Sequence, residues 1–243
     1  HGNTSKSAST DGFFAYKNGA KYVLNDLHKM TQIAKGKYPN LPYFLMGHSM
    51  GSFFARLYAA TYPNELNGLI LEGTSGKVKG TNLGLFVLDI LKLFKGKKAH
   101  SALAEKFMCG SYFKYLPNST SKVDWVVGNP EELEKYKNNE RCQIRFTVGA
   151  YYDMVKTLKK VNSKKWAKKI NKDMPIILLA GAQDPVGQYG KGVCQVYCLL
   201  EKQCVKHLDL RIYSDARHEV HNELEPAKSA FYNEVKCFIE RNI

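Results

Sequence analysis

Four short segments carry apolar runs that end in small or turn-forming residues. They are 41–46 (Leu-Pro-Tyr-Phe-Leu-Met), 67–72 (Asn-Gly-Leu-Ile-Leu-Glu), 174–181 (Met-Pro-Ile-Ile-Leu-Leu-Ala-Gly) and 208–213 (Leu-Asp-Leu-Arg-Ile-Tyr). The run at 174–181 is continuous, as a parallel strand covered on both faces requires, and the one at 208–213 alternates. The other segments repeat at helical spacing. Ala20, Val23, Leu24, Leu27 and Ile33 predict a helix over 18–38, and 52–60 predicts a second that Tyr62-Pro63-Asn64 ends. No strand is predicted before 41. Between the strands at 67–72 and 174–181 lie about a hundred residues, far more than an ordinary crossover connection needs. This stretch has its own amphipathic faces: Leu83, Phe86, Val87, Ile90, Leu91 and Phe94 form one, 102–113 a second and 144–158 a third. A final helix is expected to begin near Glu223.

The strand at 41–46 runs directly into Gly47-His48-Ser49-Met50-Gly51 and then into a helix. A strand, turn and helix joined this tightly force the serine into a strained bend with its Oγ above the sheet. Gly47 and Gly51 are expected to be set by sterics, because the backbone approaches its neighbours closely there. A serine hydroxyl is a weak nucleophile until a histidine takes its proton and a carboxylate orients that histidine. On such an elbow the chain order is serine, acid, histidine. Asp184 follows the strand at 174–181, and His218 follows the strand at 208–213. Both fall where open α/β sheets place their sites, beyond the carboxyl ends of the strands. His221 is the nearest competitor for the base but is expected at the start of the final helix. Asp209 lies inside a strand and Asp215 follows the wrong one. His48 is read as a packing residue of the elbow, and Arg217 and Glu219 as groups that fix the loop of His218.

Three stretches, PYFLMGHSMG (42–51), GAQDPVG (181–187) and DARHEVHNE (215–223), resemble the monoacylglycerol lipase and lysophospholipase branch of the α/β-hydrolase superfamily, the group also labelled serine aminopeptidase S33-like. The resemblance implies a mostly parallel sheet with helices on both faces and a helical cap inserted between the nucleophile and acid halves. The core would comprise 1–76 and 173–243, and the cap 77–172. It further implies Ser49 as nucleophile, Asp184 as acid, His218 as base and the backbone N–H of Met50 as one oxyanion donor, with no metal or cofactor. The implied enzyme is a carboxylic ester hydrolase acting on acylglycerols or lysophospholipids. A serine peptidase of the proline-iminopeptidase type and a non-catalytic binding protein of the same fold are the alternatives. The chain also departs from the family pattern. Only 48 residues precede Ser49, whereas the family's sheet begins several strands earlier and holds its second oxyanion donor in an early His-Gly loop. His1-Gly2 and the residues after it resemble a later family loop instead. The N-terminal part of the fold, with the second donor, is therefore expected to be missing from this sequence.

Composition narrows the picture. With 44% hydrophobic and 24% charged residues, the 243-residue chain can bury one sizeable core. No apolar stretch reaches the roughly 18 residues of a membrane span, since 83–94 is broken by Gly84, Asp89 and Lys92. The six cysteines form no Cys-x-x-Cys pair and have no histidine at metal-ligand spacing, so reduced, mostly buried thiols and a cytoplasmic location are expected. The formal net charge is +14, and its lysines concentrate at 92–98 and 156–172, inside the insertion. Trp166 is the only aromatic in the second run, so stacking combined with phosphate contact is poorly supplied and no nucleic-acid partner is expected. Solvated helix faces account for the lysines. An anionic lipid surface is the partner that the same segment would attract.

Overall fold

The computed structural model describes residues 11–109, 112, 116, 119 and 121–243; His1-Gly2 and the end of the expected helix at Phe113 lie outside them. Among the described residues four strands form one parallel sheet in chain order: β1 (Phe44–His48), β2 (Gly68–Glu72), β3 (Ile176–Gly181) and β4 (Leu208–Tyr213). The first runs further than the apolar pattern suggested, because Gly47 and His48 still pair with Leu71 and Glu72. Helices supply the crossovers. They are α1 (Gly19–Lys37), α2 (Met50–Thr61), α3 (Thr81–Lys95), α4 (Ala102–Cys109), α5 (Pro130–Asn138), α6 (Val148–Val161), α7 (Lys164–Ala167), α8 (Lys191–Glu201) and α9 (Ala227–Glu240).

Strand alternation divides the central strands between two faces. Leu69, Leu71, Ile176, Leu178 and Ala180 join Phe53, Leu57, Val193 and Leu200 of α2 and α8 in the larger core. Ile70, Ile177 and Leu179 pack on Phe231 and Phe238 of α9. β2 and β3 are buried at every position, which is why they read as unbroken apolar runs. A third, smaller cluster holds Leu88 and Leu91 of α3 against Val148, Tyr151 and Val155 of α6. The lower half of α6 and α7 belong to the larger core through Leu158, Val161 and Trp166, so α6 spans both.

Three details differ from the sequence pattern. The final helix begins at Ala227 rather than near Glu223, and His221 sits in a 3-10 turn, Val220–Asn222. Pro226 disfavours helical geometry at the residue before it, and the Glu223 side chain is drawn inward to bond the Gly128 and Arg217 N–H groups, both at 2.8 Å. The helix expected from 144 starts at Val148, where the Thr147 hydroxyl caps the Ala150 N–H. Finally, the described free cysteines are not buried: Cys198, Cys204 and Cys237 are exposed, and Cys142 and Cys194 are partly so. They lie on the outer sides of their helices and turns.

One buried cation joins these layers. Arg56 of α2 is fully buried, and burial pushes its pKa down to about 9. Its guanidinium donates to Ser75 O at 3.0 Å and Asn162 Oδ1 at 2.9 Å, and also to Val161 O and the Thr74 hydroxyl. It stacks on Trp166 at 4.6 Å, and the indole donates back to Arg56 O at 2.7 Å. Arg56→Met withdraws these donors from buried acceptors, each of which costs about 1–3 kcal/mol when left unpaired. The expected loss is about 3 kcal/mol or more, read as a lowered urea midpoint at unchanged slope. A loss under ~1 kcal/mol would show the clamp to be dispensable.

Candidate active site

Ser49 joins β1 to α2 with φ 52° and ψ −122°, a left-handed conformation that costs a non-glycine residue about 1–3 kcal/mol. Its backbone is held on both sides: the N–H donates to Glu72 O at 3.0 Å, and the carbonyl accepts the Ser52 N–H at 2.9 Å and Ser52 Oγ at 2.6 Å. A Cβ on Gly47 would stand 2.6 Å from Gly51 O and 2.8 Å from Ala55 Cβ, so that position admits only glycine. A Cβ on Gly51 would meet nothing within 4 Å, contrary to the steric reading of the sequence. Met50 is the first residue of α2, one of the positions whose N–H has no intrahelical acceptor.

Asp184 and His218 are both buried beyond the ends of β3 and β4. Asp184 Oδ1 accepts the Val186 N–H at 2.8 Å, which directs Oδ2 to within 3.0 Å of His218 Nδ1. Burial opposes charge on His218, but the Asp184 carboxylate outweighs it, with help from Glu72 and Glu219, and the pKa is raised. Nε2 of His218 has no hydrogen-bond partner among the described residues. That nitrogen is left for a hydroxyl or a leaving group. Gly73, at φ 56°, lets the imidazole approach, since a Cβ there would lie 2.8 Å from His218 Cε1. The Trp125 ring flanks the imidazole at 5.1 Å.

Ser49, Met50 and His218 share one cavity of about 520 Å³, whose apolar walls include Phe53, Phe146, Met154, Val155 and Leu158. The volume lies within the range of small-molecule sites, roughly 300–1,000 Å³. The segment that brings Trp125 to the site is fastened to the histidine loop. Arg217 donates to Val127 O at 3.2 Å and to Asp124 O, the Glu219 N–H donates to Val126 O at 2.8 Å, and Glu223 accepts the Gly128 N–H. Arg217 thus holds the loop through its guanidinium, on backbone carbonyls, and Glu219 through its backbone N–H.

The remaining candidates are engaged elsewhere. His221 Nδ1 lies 2.7 Å from Glu72 Oε1, Asp209 is bonded to Arg241, and Asp215 is exposed beside Ser214. Among the described residues no group of three or more His, Cys, Asp or Glu side chains is placed to hold a metal ion. Sequence reasoning passed over Glu72 and Trp125. The signal for Glu72 was available: a carboxylate closes a strand whose other residues are apolar, and such a charge stays buried only with a partner. Trp125 carried no such signal, because its segment has no periodicity.

A family model described as serine aminopeptidase, S33, matches residues 1–225. The chain is 25% identical over 234 residues to the monoglyceride lipase homolog of monkeypox virus, covering 91% of this chain and 74% of that one. It is 25% identical over 227 residues to the mouse monoglyceride lipase, covering 91% of this chain and 66% of that protein, just under two thirds of its length. Among solved structures, a thermostable carboxyl esterase from Bacillus coagulans, crystallised with glycerol, superposes with a TM-score of 0.82 at 30% identity, covering 96% of this chain and 78% of that one. The chain therefore belongs to the serine aminopeptidase S33 family of α/β hydrolases, in its ester-hydrolase branch of monoglyceride-lipase-like proteins.

Proposed function

We propose that this protein hydrolyses monoacylglycerols through a Ser49–His218–Asp184 triad. The observation that carries the reading is the approach of Asp184 Oδ2 to within 3.0 Å of His218 Nδ1, beside an apolar cavity that Ser49 and His218 both line. His218 takes the proton of Ser49 Oγ as that oxygen attacks the ester carbonyl. The Met50 N–H donates to the oxyanion that forms. His218 then passes its proton to the leaving alcohol, and water releases the acid by the same steps in reverse. The Phe and Leu side chains of the cavity suit one acyl chain, and the names of the viral and mouse relatives support a monoacylglycerol. Lysophospholipids are a second substrate class, favoured by Lys79 in the cavity wall, where a phosphate would sit.

The helical segment that roofs the cavity also presents a surface suited to lipid. Leu83, Phe86, Leu93 and Phe94 of α3 are all at least 60% exposed, and Lys79 and Lys95 stand at the two ends of the helix. Apolar side chains flanked by cations favour an anionic membrane surface.

A fluorophosphonate probe is expected to label the folded protein at Ser49. Ser49→Ala should abolish labelling, and both it and His218→Ala should lower p-nitrophenyl ester hydrolysis by ~10⁴-fold or more. Labelling that persists in Ser49→Ala, or prolyl amides cleaved faster than esters, would overturn the reading. For the membrane surface, co-sedimentation with phosphatidylserine vesicles should exceed that with phosphatidylcholine alone. Leu93→Ser combined with Phe94→Ser should weaken it about thirtyfold, the equivalent of ~2 kcal/mol of lost apolar burial. Equal binding by that variant would exclude α3 as the contact.

A further inference from the structure

The proposed triad uses one buried carboxylate, and the site contains a second. Glu72 ends β2, and its side chain is fully buried. Register places it beside His48, one strand over from the elbow. Its carbonyl accepts the Ser49 N–H at 3.0 Å. Its carboxylate accepts the His221 backbone N–H at 3.3 Å and meets His221 Nδ1 with both oxygens, at 2.7 and 2.9 Å. His221 follows His218 by three residues within the same loop. One residue therefore grips the nucleophile's backbone with its main chain and the base's loop with its side chain.

His48 fills the space between the two histidines, its ring 4.6 Å from that of His218 and 5.4 Å from that of His221. Burial, and then the neighbouring His218, push its pKa down to about 4, so it is neutral near pH 7. Its Nε2 stands 3.3 Å from the His218 carbonyl oxygen and must carry the proton there, since a carbonyl can only accept. A buried carboxylate in such a place is expensive unless it is paired, and a fold alone could fill the position with an apolar residue.

We propose that Glu72 and His221 form a positioning pair for the reaction, one that fixes Ser49 and the His218 loop to each other and supplies negative charge as His218 becomes imidazolium. The proposal rests on the roles given to Ser49 and His218 above. The titratable groups facing His218 come from the neighbouring elements: Asp184 after β3, Glu72 on β2, Glu219 on its own loop and His48 on β1. Around His221 stand Glu72, Glu219 and His48, with Glu132 of α5 and its neighbours Lys135 and Lys228 further out. The His221 pKa is raised, burial opposing and the Glu72 bond prevailing.

The signs follow. His218 works as a base only when neutral, and Glu72 raises its pKa. Glu72→Gln removes that charge and should lower the acid-limb midpoint of kcat/KM by about half a pH unit. His221→Gln leaves the buried carboxylate without its imidazole partner and should raise that midpoint by a similar amount. Both variants should lose about tenfold in kcat, with KM within about twofold, while still labelling with the fluorophosphonate. If Glu72→Gln does not fold, His221→Gln, at a partly exposed position, decides alone. Loss of kcat without these opposite shifts would mark a structural role and overturn the proposal, as would wild-type kcat and midpoints in both variants. If the wild-type protein itself fails to label, the Ser49 assignment fails and the positioning role with it.

Discussion

The buried guanidinium of Arg56 is the contact on which the other layers converge. Its acceptors come from the segment after β2 and from the end of α6, and the ring it stacks on comes from α7. No carboxylate is among them, so its charge is balanced by oriented carbonyl dipoles. Burial has lowered its pKa only to about 9, and it stays protonated at neutral pH. A lysine could not replace it, because a point charge lacks the planar fork that reaches two groups of acceptors and the face that stacks on Trp166. Arg56 also lies two turns below Ser49 on the same helix. The strained elbow is therefore braced from the far side by the interaction that holds α6 to the core.

The site inherits this arrangement. With the strands in simple order, each carboxyl end delivers one group: Ser49 after β1, Glu72 at the end of β2, Asp184 after β3 and His218 after β4. The roof is not an independent unit. Val155 of α6 packs in the small cluster with α3, whereas Leu158 and Val161 pack below in the larger core. Bonds from the Arg217 guanidinium, the Glu219 N–H and the Glu223 carboxylate carry the segment around Trp125 onto the histidine loop. The segment around Trp125 and the loop of His218 are thereby fastened to each other.

Much of this was legible because burial on both faces leaves a plain trace: 67–72 and 174–181 could be read as strands with almost no polar residue to interpret. The elbow was legible because sterics narrow the choice of residue, although only Gly47 is constrained in this way. The parts that escaped depend on contacts between residues distant in sequence. The start of α9 was misplaced because the Glu223 side chain answers in part to Gly128, 95 residues away. Cysteine burial was misjudged because residue type alone does not tell which side of α8 or α9 faces water. Glu72 was overlooked because its partner, His221, is 149 positions later.

The sequential order of the strands also has a temporal consequence. A chain leaving the ribosome presents Ser49 first, Asp184 much later and His218 last, and β4 can join the sheet only at the edge that β3 has already laid down. Until β4 docks, Ser49 and His218 do not share a cavity. The candidate site is thus complete only as a late event of assembly.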